Sequence, residues 1–231
     1  MKQNQLTFTT VLEHSFKQYE QRILAYLESN HARYKTFAER ITPDLADKTQ
    51  VYSRLAFAIL SANSPFDDTV KALDVAMLKL GSLQPSDISR FKMVPEKAYY
   101  LNRAYLQLEL RQWQPKKNPV DWQAYRLEVK DKFKGLHLAK ASFTLGLLYP
   151  TTADVACIDT WIQKTFLGHS GFRSLNLATY VAVESRIRAY AKRFGIGTFL
   201  AQWLIWDFAR GTQNNHDIFP GNHKATVAIA A

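Results

Sequence analysis

Apolar side chains recur at three- and four-residue steps along almost the whole chain, and that spacing restricts it to a helical fold. Between Val11 and Ser29, the residues Val11, Leu12, Phe16, Tyr19, Ile23, Leu24 and Leu27 fall on one helical stripe. Val51 to Leu60 is a nearly continuous apolar helix, broken by Ser61-Ala62-Asn63-Ser64-Pro65. Asp67 or Asp68 is expected to cap the next helix, which runs to about Leu80 and stops at Gly81. Pro85 opens a short segment, and Pro95 suits the first turn of a helix reaching Trp113. Trp113 to Pro119, with two prolines and polar residues, reads as a linker. Further helices are expected over Val120–Lys134, Ala141–Leu148, Ile158–Leu167, Leu177–Phe194 and Thr198–Ala209. Gly168 to Phe172 reads as a loop, and the tail from Gly211 is expected to be partly disordered. Glu184, Arg186 and Arg188 read as a solvated helix face. No alternating run is long enough for a strand, so the expected class is all-α.

The 231 residues allow one large domain or two small lobes sharing an interface. Lysine and arginine exceed acids by 30 to 20, and a net charge of +10 favours a polyanionic partner. The single cysteine, Cys157, rules out a disulfide framework and a four-thiolate iron–sulfur cluster. It lies in an apolar run and is expected in the core. Met1-Lys2-Gln3-Asn4 lacks the apolar core of a signal peptide, and no apolar run approaches the ~20 residues of a membrane span. An intracellular, soluble protein is expected. The six histidines show no metal-ligand spacing, so neither a metal nor another cofactor is expected.

One segment carries chemistry. Lys134-Gly135-Leu136-His137-Leu138 reads as a tight turn into a helix that carries Lys140. Glycine permits the turn, and the N–H groups of a helix start can bind a phosphate without reading sequence. Nineteen residues after Lys140 comes Asp159, inside the apolar run Ala156-Cys157-Ile158-Asp159-Thr160-Trp161. A lysine amine can attack a sugar carbon, and a carboxylate can stabilise the cation formed there. Asp159 is also placed to cap the helix that starts at Thr160.

These elements resemble the signature of the helix-hairpin-helix (HhH-GPD) DNA glycosylases. Two further segments resemble theirs. Ile59-Leu60-Ser61-Ala62-Asn63 is similar to the family's Leu-Ser-Ala-Gln stretch, whose amide side chain fills the gap left by a flipped base. Met93 to Leu101 is similar to the Lys-Ala helix that follows it. The order and spacing hold over residues ~50–165. The hairpin's second glycine is His137 here. Counted from Gly135, the family's lysine falls on Ala139; counted back from Asp159, Lys140 stands where the 8-oxoguanine branch has it.

The resemblance implies a two-lobed all-α fold, with 51–119 as a central lobe and 1–50 plus 120–231 as the other. It implies double-stranded DNA containing a modified base as partner, bound by a monomer without a membrane. The implied activity is excision of that base, with AP lyase activity through a Lys140 Schiff base and Asp159 as stabilising carboxylate. Lys134, Gly135, His137 and Leu138 would hold the DNA backbone, and Asn63 would fill the base gap. The flipped base needs an aromatic pocket. Trp203 and Trp206 share a helix face, with Asp207 beside them; Trp161, His216 and Phe219 are further pocket candidates. Three alternatives stand beside this reading: a monofunctional glycosylase using water, a DNA-binding module without chemistry, and a phage-type transferase modifying thymine derivatives.

Overall fold

The computed structural model describes residues 2–168, 175–211 and Phe219, with side chains from Tyr19 onward. The readings made above for 169–172, for His216 and for the rest of the tail lie outside those residues. The described residues form helices and no strands, as the apolar period requires. The helices are α1 (Lys2–Ile41), α2 (Lys48–Leu60), α3 (Phe66–Leu78), α4 (Pro85–Ser89), α5 (Glu96–Glu109), α6 (Trp122–Lys132), α7 (Leu138–Leu148), α8 (Thr160–Leu167), α9 (Leu177–Phe194) and α10 (Thr198–Arg210). None of the described helices is long and apolar enough to cross a membrane.

Several boundaries differ from those expected, each for a local reason. α1 runs on to Ile41 because Tyr34, Phe37, Ala38 and Ile41 continue the buried stripe of Ile23 and Leu27. α2 begins at Lys48 because Asp47 caps it, accepting from Thr49 and Gln50 N–H at 2.8 and 3.2 Å. α3 is preceded by Pro65, so Asp67 and Asp68 are not its cap. They lie in the first turn, where the helix dipole favours carboxylates. α5 stops at Glu109, short of Trp113, and Arg111 follows it in the left-handed region at φ 51°. The linker is anchored by Trp113, which packs on Phe133 at 5.0 Å and stacks on Tyr125 at 6.4 Å.

Packing sorts the helices. α2 packs against α3, α5 and α7, while α10 packs against α1, α7, α8 and α9. α7 therefore lies between the two groups. Its approach to α10 is close because position 146 is glycine: a Cβ there would meet the Phe199 ring at 2.0 Å.

The reading of Glu184 as solvated is corrected. Glu184 is fully buried, paired with equally inaccessible Arg126 at 2.6 Å. One of its oxygens also accepts the Ala156 N–H at 2.8 Å, and the other accepts Gln123 Nε2 at 2.8 Å. The physical reason is the helix period: Tyr180, Glu184, Ile187 and Ala191 share one inward stripe. Arg186 and Arg188 do reach the surface, where they pair with Glu20 and Asp154. Tyr180, on that same stripe, donates to Ala156 O at 2.6 Å, accepts from Ile158 N–H at 3.3 Å and meets Ser142 Oγ at 3.1 Å. Residues 153–158, outside any helix and buried except for Asp154, are thus held from α9.

Glu184→Ala should destabilise the fold by about 3–5 kcal/mol, because it strands a buried guanidinium. Urea unfolding followed by circular dichroism would read this as a lower midpoint, and an unchanged midpoint would contradict the role given to the pair. Gly146→Ala should cost about 1–3 kcal/mol by overpacking against Phe199, read in the same assay.

Candidate active site at the hairpin

The turn between α6 and α7 is built around Gly135 at φ +87°. A side chain there would be strained by the backbone, and its Cβ would lie 2.7 Å from the Tyr100 ring. Buried Leu136 anchors the turn, while Lys134 and His137 are exposed and Leu138 is half-buried. His137 is the N-cap of α7 and makes no side-chain cap hydrogen bond. The first N–H groups of α7 therefore have neither an intrahelical acceptor nor a side-chain cap, and exposed Lys134 stands three residues before His137. That arrangement can hold an anion.

Lys140 lies in the first turn of α7 and points inward. Its Nζ donates to Ser61 Oγ at 2.9 Å, at the end of α2, and sits 5.1 Å from the Phe143 ring centre. Asp159 caps α8: one carboxylate oxygen accepts the Trp161 and Ile162 N–H groups, both at 3.0 Å. Burial pushes the Asp159 carboxyl above its ordinary value. The Ile162 N–H, the Lys140 charge, the Trp161 N–H and the nearby Trp206 side chain oppose that rise. The Lys140 charge also acts on Cys157, whose buried thiol is nonetheless pushed up to about 12 by desolvation. Cys157 is a core residue, as expected. Lys140 and Asp159 thus share one site without forming an ion pair, since the lysine's hydrogen bond goes to Ser61.

An aromatic wall flanks this pair. Phe143 meets Phe57 at 5.9 Å, Phe57 meets Phe66 at 5.9 Å and Phe219 at 5.6 Å, and Phe66 meets Trp206 at 6.1 Å. Phe219 is stacked by the Arg54 guanidinium at 3.9 Å, and Trp206 by Arg210 at 4.2 Å. Trp206 lies near Asp159, and Phe219 joins the same wall through Phe57. Trp203 packs behind the wall, against Phe143 at 5.8 Å and Trp206 at 6.3 Å. Trp203 is 2% exposed, in the core against Phe37 and Phe199. Asp207 is fully buried and accepts the Tyr34 hydroxyl from α1. Trp161 is 38% exposed, under the Lys164 ammonium.

Asn63 is exposed in the turn after α2, at φ 53°. The same turn receives a residue that the sequence reading assigned no role. Lys97, buried on α5, donates to Leu60 O at 2.7 Å, Ala62 O at 2.6 Å and Ser64 Oγ at 2.8 Å. Burial first, and the nearby Lys140 charge second, push its pKa down to about 8. The sequence did hold a signal: Lys97 is four residues from both Met93 and Leu101, on the buried stripe of α5. Phe57, Phe66 and Phe143 carried no such signal, being ordinary apolar positions.

No family model matches the sequence, and no curated protein matches it at sequence level. Similarity appears among solved structures. The 8-oxoguanine DNA glycosylase of Methanocaldococcus jannaschii matches with a TM-score of 0.65 at 15% identity, over 86% of this chain and 96% of that one. The same organism's 8-oxoguanine glycosylase/lyase, in complex with a 15mer DNA containing 8-oxoguanine, gives 0.63 at 16% identity, over 83% and 98%. The 8-oxoguanine DNA glycosylase of Thermotoga maritima gives 0.64 at 16% identity, over 87% and 98%. The chain has the all-helical helix-hairpin-helix fold of these 8-oxoguanine DNA glycosylases.

Proposed function

We propose that this protein is a DNA glycosylase that excises a modified base, an oxidised purine by preference, and then cleaves the strand as an AP lyase through Lys140. The observation carrying this reading is the convergence of Lys140 and Asp159 from separate elements, next to an open helix N-terminus. The fold shared with 8-oxoguanine DNA glycosylases supports it.

DNA lies across the face bearing the hairpin and Asn63, between a lobe of 51–119 and a lobe of 1–50 plus 120–231. Lys134 and the N–H groups at His137 and Leu138 hold phosphates, with Gly135 allowing their approach. Asn63 fills the gap left by the flipped base, which stacks in the pocket of Trp206 and Phe219. Trp203 and Asp207 support that pocket from the core side, and Trp161 stands at its edge. The protein acts as an intracellular monomer.

The Lys140 ammonium first releases a proton to solvent, and its amine then attacks the anomeric carbon. The electrons of the N-glycosidic bond leave with the base, which takes up a proton. Asp159 stabilises the positive charge on the sugar in the transition state and receives the proton the amine loses. Ring opening gives a Schiff base, and β-elimination expels the 3′ phosphate.

Asp159→Asn should lower base release by on the order of 10²–10³, the cost of removing one electrostatic stabiliser. Asparagine still caps α8, so fold and DNA affinity should persist. Because burial raises the Asp159 pKa, the pH profile of kcat/KM for base release should show an ionisation above the ordinary carboxylate range that is absent from the variant. Wild-type rates in Asp159→Asn would leave only the cap role.

Borohydride should trap a covalent adduct between the protein and a duplex containing 8-oxoguanine. Lys140→Gln should abolish it, and Lys134→Gln should not. Base release without any adduct would identify a monofunctional enzyme using water. A heavier base in the product would identify a transferase, and neither product a binding module.

Binding to duplex should weaken with salt. If roughly five phosphates are neutralised, log K against log salt should slope at about −4 to −5. A flat response in fluorescence anisotropy would count against DNA as the partner.

A further inference from the structure

The turn Ser61 to Ser64 is held from two sides by lysines. Lys140 bonds the Ser61 hydroxyl at 2.9 Å, and Lys97 bonds Leu60 O, Ala62 O and Ser64 Oγ. An ammonium has three N–H donors, and Lys97 spends all three on this turn. The carbonyls at the end of a helix have no intrahelical partner. Here the donor for Leu60 O comes from α5, alongside the C-cap residue Ser61, whose hydroxyl bonds Ala58 O at 2.9 Å. Between the bonded residues stands Asn63, exposed, in a left-handed conformation that non-glycine residues adopt at a cost of about 1 kcal/mol or more. The turn's own backbone offers little to hold that conformation: Ser61 N–H bonds Phe57 O at 2.9 Å, and Ala62 N–H reaches Ile59 O at only 3.4 Å. Lys97 therefore supplies three bonds on both sides of Asn63, and does so at the expense of burying a charge.

We propose that Lys97 is the positioning residue for Asn63: its three hydrogen bonds fix the Ser61–Ser64 turn so that the Asn63 amide projects in one orientation, ready to enter the gap that an extruded base leaves. The inference rests on the reading of Asn63 as the gap-filling residue. Lys97 touches no substrate and acts only through the turn. Losing it should release Asn63 without altering the hairpin, where Lys134 and the start of α7 hold the phosphates.

The test compares binding to two duplexes of one sequence, one intact and one with a tetrahydrofuran abasic analogue opposite 2-aminopurine. A side chain that fills the gap raises affinity for the second duplex and quenches its fluorescence. The wild type should prefer the gapped duplex. Asn63→Ala should reduce that preference by about tenfold, the loss of one or two hydrogen bonds and their packing. Lys97→Met should reduce it equally while affinity for the intact duplex stays unchanged. The double variant should be no worse than either single one, because both act through one side chain. Multiplied effects, or a full preference in Lys97→Met, would overturn the inference while leaving the Asn63 reading intact. A wild type with no preference would sink that reading and the inference with it. If Lys97→Met does not fold, Ser64→Ala removes one of the three acceptors and keeps the lysine; it must show a smaller loss in the same direction, and full preference there overturns the inference.

Discussion

The buried pair of Arg126 and Glu184 is the interaction on which the site's geometry depends. Two opposite charges out of water are costly, and here hydrogen bonds to most of the pair's polar atoms, Arg126 Nε excepted, offset that cost. Satisfying them draws four elements together. Arg126 comes from α6 and also reaches Ser142 on α7 at 3.2 Å, while Glu184 comes from α9 and takes the Ala156 N–H of the 153–158 segment. Gln123 bonds both partners. The same contacts that satisfy the charges therefore set α7, which carries Lys140, against the segment that ends in Asp159. A hydrophobic pair of similar volume could fill this space, but it would not fix the register of that backbone.

Register also decides which side chain faces Asp159. The hairpin offers two neighbouring positions, Ala139 and Lys140. α7 starts at Leu138, and Ala141 opens its backbone hydrogen bonding to His137 O at 2.8 Å. On that helix Lys140 turns inward to Ser61 and the Asp159 side, where its charge acts on that carboxyl. The departure at His137 does not disturb this. Its backbone is extended at φ −85°, so the position has no need of a second glycine.

The roles of charge differ by place. The net charge of +10 acts at long range and is screened by salt. Inside, Lys97, Lys140, Arg54 and Arg126 each work by contact. Arg54 is buried, donates to Ile41 O at 2.5 Å and stacks on Phe219. Burial pushes its pKa down to about 10, so it remains charged at neutral pH. Each interior cation joins segments distant in sequence, and none is replaceable by a surface charge elsewhere.

The sequence by itself determined the helical class, because a 3.6-residue apolar period is a local property that α2 and α9 carry without reference to anything else. It also exposed Gly135, Lys140 and Asp159, since a turn glycine and charges within apolar runs stand out from their neighbours. It marked Asn63 only through the resemblance of Ile59-Leu60-Ser61-Ala62-Asn63 to a family stretch. Tertiary structure decided the rest. Whether Glu184 faced water or the core depended on Arg126, 58 residues away. Trp203 and Trp206 look alike in sequence, yet one is in the core against Phe37 and the other is half-buried beside Asp159. Lys97 could be seen on a buried stripe, but its three acceptors lie at the end of another helix. Periodicity gives the face a residue occupies; only packing between elements gives what that face meets, because those partners are set by contacts distant along the chain.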